Sequence, residues 1–403
     1  MNRNRKKKNR KKETGAVVSL LLASSLAFGG CGTAVTSASF VNTESASTES
    51  TGETSADNAA ATSESTASEN AIESDSDIDF DLELTESTID TEFTDREKSG
   101  SYKASEAVKI TLNKTTATVS GSGAKADGST ITITEEGVYI VSGTLEDGQI
   151  IVDASDSDKV QIVLDGVHIN CETNAAIYVR EADKVFITLA ENSSNTLGGG
   201  NEYTQIDDNT VDGVIFSKSD LVCNGTGSLT IEADYKHGIV SKDDLVITGG
   251  TTIVYGPTSD GDSALDYDGS AIVTGGTLAA IGSAGMTESF DEASTQPVIT
   301  YYCTETQSAD TTIALTDSDG SALFTVAPEK AYASIVLTCP EMKLDATYTL
   351  AVGTDNEEIT LTDIITTAGT RSVKTMSDPE GGKMPNNSDN KGIPPSKPSN
   401  TAE

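Results

Sequence analysis

Short runs of β-branched and aliphatic residues recur through the middle of the chain, and glycine, aspartate or asparagine separates them. Early examples are residues 130–134, 138–141, 149–152 and 160–164. Runs of this length and composition are typical of β-strands. No long segment with the 3.6-residue period of an amphipathic helix follows the first 30 residues. The pattern therefore predicts an all-β protein.

One nine-residue sequence is repeated. Residues 217–225 read SKSDLVCNG, and residues 241–249, 24 positions later, read SKDDLVITG. A looser copy, YDGSAIVTG, follows at residues 267–275 after another 26 positions, and VREADKVFI at residues 179–187 is a weaker antecedent. A fixed period of this size is the signature of a protein built from stacked repeats.

Each period contains three strand-like runs, at residues 238–241, 245–248 and 251–255 in the clearest copy. Three short strands and three turns fill about 24–26 residues, which predicts one coil of a triangular parallel β-helix. The Gly-Gly pairs at residues 249–250 and 275–276 are expected at corners that need positive φ. A β-sandwich also has short strands, but it does not explain near-identical copies at this spacing.

Residues 296–370 break the period and predict a C-terminal β cap or small sandwich. Two runs, 312–316 and 322–326, flank Asp-Ser-Asp-Gly and read as a hairpin, and further strands are expected at 334–338, 347–352 and 358–361. Such a cap would cover the unpaired strand edges of the last coil. Residues 371–403, rich in Pro, Asn, Ser and Lys, are expected to be a disordered tail.

The N-terminus has the organisation of an export signal. Eight basic residues precede an apolar run that is too short to span a bilayer, so residues 1–31 are predicted to be a signal peptide. The run ends in Phe-Gly-Gly-Cys, which resembles a bacterial lipoprotein box with Cys31 as the lipidated residue. Ordinary cleavage nearby, with Cys31 incidental, is the alternative. If Cys31 is lipidated, it holds the protein on the membrane at the cell surface.

Residues 32–101 are rich in Ser, Thr, Ala, Glu and Asp, and contain few aromatic residues. Such a segment buries too little apolar surface to offset the entropy of ordering, so it predicts a disordered acidic stalk. A partner-binding acidic segment is the other interpretation. Residues 102–295 are then the β-helix and residues 296–370 the cap.

The charge excludes some classes of function. The chain has 27 Lys plus Arg and 63 Asp plus Glu, for a net charge of −36, and this argues against nucleic acid as a partner. Its two histidines, His168 and His237, are too few for a multi-histidine metal site. Among the other cysteines, Cys223 is expected to be a small buried hydrophobe, and a bridge between Cys303 and Cys339 stays open.

No common catalytic motif is present. The sequence lacks a Gly-x-Ser-x-Gly elbow, a phosphate-binding loop ending in Gly-Lys-Ser/Thr, and His-Glu-x-x-His. A pair of carboxylates could still hydrolyse a glycosidic bond, because their separation is not visible in a sequence. Hydrolysis by two carboxylates therefore stays open at this point.

Aspartates cluster at the predicted turns and suggest calcium as a cofactor. Closely spaced carboxylates supply the oxygen ligands that calcium needs, and a bound cation would relieve their repulsion. Solvated turn residues are the alternative, because Asp favours turns. The candidate metal ligands are Asp207, Asp208, Asp212, Asp220, Asp244, Asp260, Asp262, Asp266 and Asp268.

Several segments together resemble a family of bacterial cell-surface carbohydrate-binding proteins. They are GVYIVSGTL at 137–145, VLDGV at 163–167, IFSKSDL at 215–221 and SKDDLVITGG at 241–250. The resemblance covers roughly residues 105–290. It implies a right-handed parallel β-helix like that of polysaccharide lyases, calcium binding, and non-catalytic binding of cellulose or acidic pectin-type polysaccharide. Fewer Asp-Gly-Ile turns, and His237 at one of them, depart from the family pattern.

Candidate carbohydrate-binding residues follow from this expectation. They are the aromatic residues Tyr203, Tyr235, Tyr255 and Tyr267 and the repeated bases Lys218 and Lys242. The tyrosines could equally pack turns, and the lysines could pair with neighbouring aspartates. A calcium-dependent polysaccharide lyase with Lys218 or Lys242 as base is one alternative function, and a structural surface adhesin is another. Because the chain is so acidic, divalent cations would have to mediate binding to an acidic polysaccharide.

Overall fold

The computed structural model describes residues 93–371, which contain one short helix and 26 strands. The prediction of an all-β protein is confirmed, and the sheets are mixed. The predictions for residues 1–31 with Cys31, for most of the stalk, and for the tail after residue 371 lie outside the described residues. Between residues 93 and 371, no helix is long and apolar enough to cross a membrane.

The described chain begins with the helix α1, Asp95–Ser99, in a segment that the sequence predicted to be disordered stalk. Glu97 N–H donates to Thr94 Oγ1 (3.3 Å), and Thr94 N–H donates to Glu97 Oε2 (2.6 Å), which completes a capping box. Gly100 ends the helix at φ 60°. The Thr-x-x-Glu spacing was the local signal for this helix.

Six strands form the N-terminal part of the fold. They are β1 (Val108–Lys114), β2 (Thr116–Ser120), β3 (Ala124–Asp127), β4 (Thr130–Ile133), β5 (Gly137–Leu145) and β6 (Gln149–Asp153). β1 pairs antiparallel with β2 and parallel with β5, and β3 pairs antiparallel with β4. These two antiparallel pairs lie at the N-terminal end of the otherwise parallel strand stacks.

The repeated region contains thirteen further strands. They are β7 (Lys159–Cys171), β8 (Ile177–Glu181), β9 (Lys184–Leu189), β10 (Ser194–Gly199), β11 (Gly213–Ser217), β12 (Asp220–Gly225), β13 (Ser228–Glu232), β14 (His237–Ser241), β15 (Leu245–Ile247), β16 (Thr251–Tyr255), β17 (Leu265–Tyr267), β18 (Ala271–Val273) and β19 (Thr277–Gly282). The strand runs predicted at residues 238–241, 245–248 and 251–255 correspond to β14, β15 and β16.

Strands of successive repeats pair in parallel and build three stacks. The first stack runs β4, β6, β8, β11, β14, β17, the second β5, β7, β9, β12, β15, β18, and the third β7, β10, β13, β16, β19. β7 belongs to two stacks because its chain continues through Gly166 (φ 72°), so the second and third stacks join into one 15-stranded sheet.

The register of the second stack reproduces the repeat spacing. Leu221 pairs with Leu245 and Leu245 with Ala271, offsets of 24 and 26 residues. Side chains alternate along each strand, so Leu221 and Cys223 enter the main core while Val222 between them faces outward. The sequence copies are therefore physically adjacent, and equivalent residues stand beside each other.

Two of the predicted corners depend on glycine. Gly250 and Gly276, the second residue of each Gly-Gly pair, have φ values of 77° and 82°. A Cβ on Gly276 would lie 2.7 Å from the backbone carbon of Gly249 in the preceding repeat. The positive φ expected at these corners is confirmed, and close stacking adds a second reason for glycine.

The C-terminal part contains seven strands and its own core. They are β20 (Val298–Gln307), β21 (Ile313–Thr316), β22 (Ala322–Val326), β23 (Tyr332–Thr338), β24 (Thr347–Val352), β25 (Asp355–Thr360) and β26 (Ile365–Gly369). β21 and β22 form the predicted hairpin, and β23 pairs antiparallel with β19. The last strand of the third stack therefore has a partner on both sides.

The four cysteines of the described chain are buried and free, so the open Cys303–Cys339 bridge is absent. Cys223 is 1% exposed, and burial raises the pKa of its thiol to about 12. Its prediction as a small buried hydrophobe is confirmed.

Candidate functional site

Three basic residues stand in one row on the outer surface of the first stack. Ser217 pairs with Val179 on one side and with Ser241 on the other. The residues that follow them, Arg180, Lys218 and Lys242, therefore occupy equivalent places near the ends of successive strands. Neighbouring strands lie about 4.8 Å apart. The sequence identified Lys218 and Lys242 but missed Arg180, although the weak repeat copy at residues 179–187 carries it.

Arg180 binds two aspartates. Its Nη1 lies 3.0 Å from Asp153 Oδ2, and its Nε lies 2.8 Å from Asp207 Oδ2. Tyr178 donates its hydroxyl to the same Asp207 oxygen at 2.8 Å, and Asn209 N–H donates to the other at 2.8 Å. Burial opposes ionisation of Asp207, but these hydrogen bonds outweigh it and lower the pKa. Both carboxylate oxygens of Asp207 therefore already accept hydrogen bonds from protein groups, which disfavours Asp207 as a metal ligand.

Lys242 also binds aspartates. Its Nζ lies 2.8 Å from Asp266 Oδ2 and 3.4 Å from Asp268 Oδ1. Burial opposes the charge of Lys242, yet the hydrogen bond to Asp266 and the nearby carboxylates raise its pKa. The structure thus gives Lys242 the pairing role that the sequence left open. Lys218 is exposed and has no ion pair among residues 93–371.

Lys236 and His237 surround a buried carboxylate. Lys236 Nζ lies 3.0 Å from Asp262 Oδ1, and Asp262 is 7% exposed. His237 is also buried, and its Nδ1 accepts the Ser263 N–H at 3.0 Å, so Nε2 carries the proton and faces Asp262 at 3.7 Å. The sequence indicated a turn residue here, but His237 is the buried first residue of strand β14.

Asp212 lies beside this group. Its Oδ1 is buried and has no hydrogen-bond partner within residues 93–371. Burial raises the pKa of Asp212, and the positive charge of Lys242 opposes that rise. Asp208 and Asp260, predicted with it as ligands, are exposed at the surface.

Two of the four candidate tyrosines meet. The rings of Tyr203 and Tyr235 have centroids 5.9 Å apart at an interplanar angle of 81°. Tyr235 is 41% exposed, and Lys236 Nζ stands 5.4 Å from its ring centroid. An exposed aromatic ring beside cations and carboxylates offers both stacking and hydrogen bonding.

The other two tyrosines lie elsewhere. Tyr267 packs against the main core and donates its hydroxyl to Ser289 O at 2.8 Å, which agrees with the packing alternative. Tyr255 packs against the core of the C-terminal part and lines a 410 Å³ cavity together with Glu232 and Lys330.

Three carboxylates form the tightest acidic group in the described chain, here called the acid triad: Asp220, Asp243 and Asp244. One oxygen of each lies within 4.8 Å of the others. The sequence predicted Asp220 and Asp244 together because they hold equivalent repeat positions. It missed Asp243, because the preceding copy has Ser219 there.

The triad carries few compensating charges. Lys184 Nζ lies 3.3 Å from Asp220 Oδ2, and Ser270 N–H donates to Asp244 Oδ1 at 2.7 Å. Burial raises the pKa of Asp220, with help from the charge of Asp244 and against the charge of Lys184. Burial and the charges of Asp220 and Asp244 raise the pKa of Asp243 as well. Burial is the larger cause of both raised pKa values, and repulsion between the carboxylates adds to it.

Comparisons with known proteins concern the repeated region. Residues 127–300 match a family described as carbohydrate-binding domain-containing protein. A protein of that description from Acetivibrio thermocellus is 40% identical over 126 residues, which are 31% of this chain and 44% of the relative. The chain therefore spans less than half the length of that relative.

A solved structure is also similar in sequence. It is described as the polysaccharide lyase-like protein from C. thermocellum in a gadolinium derivative, and it is 31% identical over 43% of this chain and 73% of its own, with a TM-score of 0.36. The match over residues 127–300 confirms, for that part of the chain, the resemblance to a carbohydrate-binding domain family.

Proposed function

We propose that this protein binds polysaccharide at the bacterial cell surface, without catalysis, through residues 102–295. The observation that carries the proposal is the match of residues 127–300 to a carbohydrate-binding domain family. The first stack supplies suitable chemistry there, because exposed Tyr235 stands beside Lys236, and Lys218 lies exposed just after the neighbouring strand β11.

The proposed scaffold is a right-handed parallel β-helix. Support comes from three stacks of parallel strands whose register follows the 24- and 26-residue repeat. Stacked coils set equivalent side chains in rows, and a row suits a ligand that is itself a repeating chain. The proposed location on the cell surface, through a lipid on Cys31, rests on the sequence alone.

Calcium is the proposed cofactor, and the acid triad is its proposed site. Calcium takes six to eight oxygen ligands, and the three carboxylates would supply part of that set while water supplies the rest. The donor set fits the ion, since hard oxygen ligands with raised pKa values gain from a nearby divalent charge. Lys184 is a competing cation that calcium would have to displace from Asp220.

The proposed ligand is a plant-type polysaccharide, either cellulose or an acidic pectin-type chain. An acidic polysaccharide approaches a surface of the same sign, so binding requires a bridging cation. A neutral polysaccharide needs no bridge.

A pull-down of the protein with polygalacturonate and with cellulose, with and without chelator, tests the proposal. We expect polygalacturonate binding to be lost in chelator and in Asp243→Asn, and to persist in Asp127→Asn, which changes an exposed aspartate away from the triad. Binding to polygalacturonate that survives chelation would disprove the bridge. Failure to retain either polysaccharide would favour a structural adhesin.

A calcium-dependent lyase is the second candidate, and the row of Arg180, Lys218 and Lys242 is the observation that favours it. Lys242 is poorly suited as the base, because its raised pKa keeps it protonated. Lys218 is the remaining candidate. An absorbance assay for unsaturated uronate product, run on the protein and on Lys218→Met, decides between lyase and binding protein.

A further inference from the structure

The outer face of the second stack carries two parallel rows of different chemistry. Phe186, Val222 and Val246 pair in register and form an apolar row. A polar row lies two residues further along the same strands. Thr188 pairs with Asn224, and Thr248, just after β15, holds the equivalent position in the next repeat. The rows together make an amphipathic strip across three successive strands.

The segment 93–100, which includes α1, lies on this strip. Phe93 packs against the apolar row, and the Arg96 guanidinium stands 5.4 Å above the Phe186 ring centroid. Glu97 is 5% exposed, and its Oε1 lies 2.6 Å from Lys184 Nζ. The segment therefore covers the apolar row and is fastened by one ion pair.

The polar row donates to the backbone carbonyls of this segment. Asn224 Nδ2 donates to Arg96 O at 2.9 Å and to Glu97 O at 3.1 Å, and Thr248 Oγ1 also donates to Glu97 O. Gln161 Nε2, at the end of the strip, donates to Gly100 O at 3.2 Å. All of these donors are neutral amides or hydroxyls.

One polar atom beneath the segment stays unsatisfied. Gln161 is fully buried, and its Oε1 has no hydrogen-bond partner among the described residues. A buried acceptor without a donor is costly, by about 1–3 kcal/mol. The segment therefore covers the strip but leaves the Gln161 acceptor without a donor. A ligand with hydroxyl groups could supply that donor.

The strip continues past the segment as an open groove. Thr274 follows Thr248 on the next strand, and the two line a groove of 350 Å³ with Phe93, Lys98 and Thr295. The groove begins where the covering segment ends, so a chain-like ligand could enter there and extend along the strip.

We propose that this strip is a binding groove for a neutral β-linked glycan, and that residues 93–100 occupy it as an intramolecular plug. The apolar row suits the C–H faces of sugar rings, and the polar row suits their hydroxyl edges. The absence of charged side chains from both rows favours a neutral chain over an acidic one. The proposal rests on the proposed carbohydrate-binding function and adds a second site with its own ligand class.

A plug that must leave lowers the apparent affinity of the groove, because only the open fraction binds ligand. Weakening the plug should therefore tighten binding. Gly100→Ala is suited to this, since Gly100 has φ 60° and an added Cβ would lie 2.6 Å from Asn224 Oδ1. Glu97→Gln weakens the plug independently, by removing the charge that holds Lys184.

Calorimetric titration of the full chain with cellohexaose tests the proposal. We expect Gly100→Ala and Glu97→Gln each to bind cellohexaose about fivefold more tightly or better than the wild type. Adding Thr248→Val to Gly100→Ala should reverse the gain, and Lys114→Gln, which alters an exposed ion pair elsewhere, should have no effect. Equal affinities in the wild type and both plug variants would overturn the proposal.

Hydrogen exchange on the wild type gives a second readout that does not depend on the variants folding. Excess cellohexaose should speed exchange of the Lys98 and Gly100 amides, which bond within the plug. Unchanged exchange at saturating cellohexaose would show that the segment stays in place and would contradict the proposal. Polygalacturonate binding by Gly100→Ala should match the wild type, because this substitution leaves the Lys184–Glu97 and Lys184–Asp220 ion pairs untouched, so failure here is distinguishable from failure of the proposed function.

Discussion

Two groups of carboxylates at the edges of the same coils differ in how their charge is balanced. On the first stack, Asp207 and Asp266 each accept a basic side chain, Arg180 and Lys242. In the acid triad, three carboxylates share only Lys184, which also binds Glu97. The pKa of Asp207 is accordingly lowered by its hydrogen bonds, and that of Asp220 is raised by burial.

The difference shows that repeated aspartates in a stacked fold do not share one role. Paired carboxylates contribute to stability as they stand, whereas an unbalanced cluster gains from an added cation. The metal hypothesis therefore narrows from nine candidate aspartates to the triad, while Asp207, Asp262 and Asp266 are partners of Arg180, Lys236 and Lys242.

The largest expected effect is stabilisation by calcium. At a concentration 100-fold above its dissociation constant, an ion that binds only the folded state adds about 2.7 kcal/mol to the free energy of unfolding. We expect this gain in urea denaturation of the wild type and of Asp127→Asn. Asp243→Asn should lose most of it, and an equal gain in that variant would place the ion elsewhere.

Removing Arg180 should have the next largest effect. Arg180→Met leaves the Asp207 carboxylate partly buried without its cation, and a lost charged hydrogen bond of this kind costs about 1–3 kcal/mol. Urea denaturation measures the change. Lys114→Met is the matched control, because the Lys114–Glu146 pair is exposed and its loss should leave stability unchanged. Equal losses of stability in the two variants would contradict the expectation that the partly buried Arg180–Asp207 pair contributes more than the exposed Lys114–Glu146 pair.

Much of the fold was predictable because residues that are equivalent in the sequence repeat pair with each other on neighbouring strands. The copies SKSDLVCNG and SKDDLVITG align Leu221 with Leu245, and the structure pairs those two residues. Positive φ at Gly250 and Gly276 was predictable for the same reason. α1 was missed, since it lies at the end of an acidic, Ser/Thr-rich segment and its capping box depends for stability on packing against distant strands.

The site was less predictable, because pairing between side chains depends on neighbours outside the repeat. Asp207 looked like Asp220 in the sequence, and only the fold brings Arg180 to one and two further carboxylates to the other. Tyr203 and Tyr235 meet across 32 residues, which no periodic argument joins. The alternatives left open for Lys242 and Tyr267 were likewise decided by contacts rather than by spacing.

The two groups should respond to pH in opposite directions. The pKa of Asp243 is raised on folding by burial and by its neighbours, so its repulsion is fully present above the folded pKa and disappears below about 3.9, the unfolded value. Without calcium, Asp243→Asn should therefore be more stable than the wild type at pH 7, and this advantage should vanish as pH falls through that window. The effect should be smaller than that of Arg180→Met, because Asp243 is only partly buried and water screens the repulsion.

Asp207 supplies the opposite sign. Its folded pKa is lowered, so its contribution is present above the unfolded value of about 3.9 and is lost as pH falls through the folded pKa. Asp207→Asn should be less stable than the wild type at pH 7 and should converge with it in acid. Parallel pH profiles for Asp207→Asn and Asp243→Asn, from urea midpoints at each pH, would refute the distinction.

The smallest expected effect separates two bases of one row. Lys242→Gln removes a half-buried partner of Asp266 and should cost about 0.5 kcal/mol, whereas Lys218→Gln should leave stability unchanged. High salt should shrink the loss in Lys242→Gln, because screening weakens the pair that the substitution removes. Because Lys218 is proposed to contact the polysaccharide, Lys218→Gln should instead weaken retention on polygalacturonate. The opposite result would be a loss of stability in Lys218→Gln and a loss of polygalacturonate retention in Lys242→Gln. It would show that Lys218 has a structural role and would remove it from the proposed binding surface.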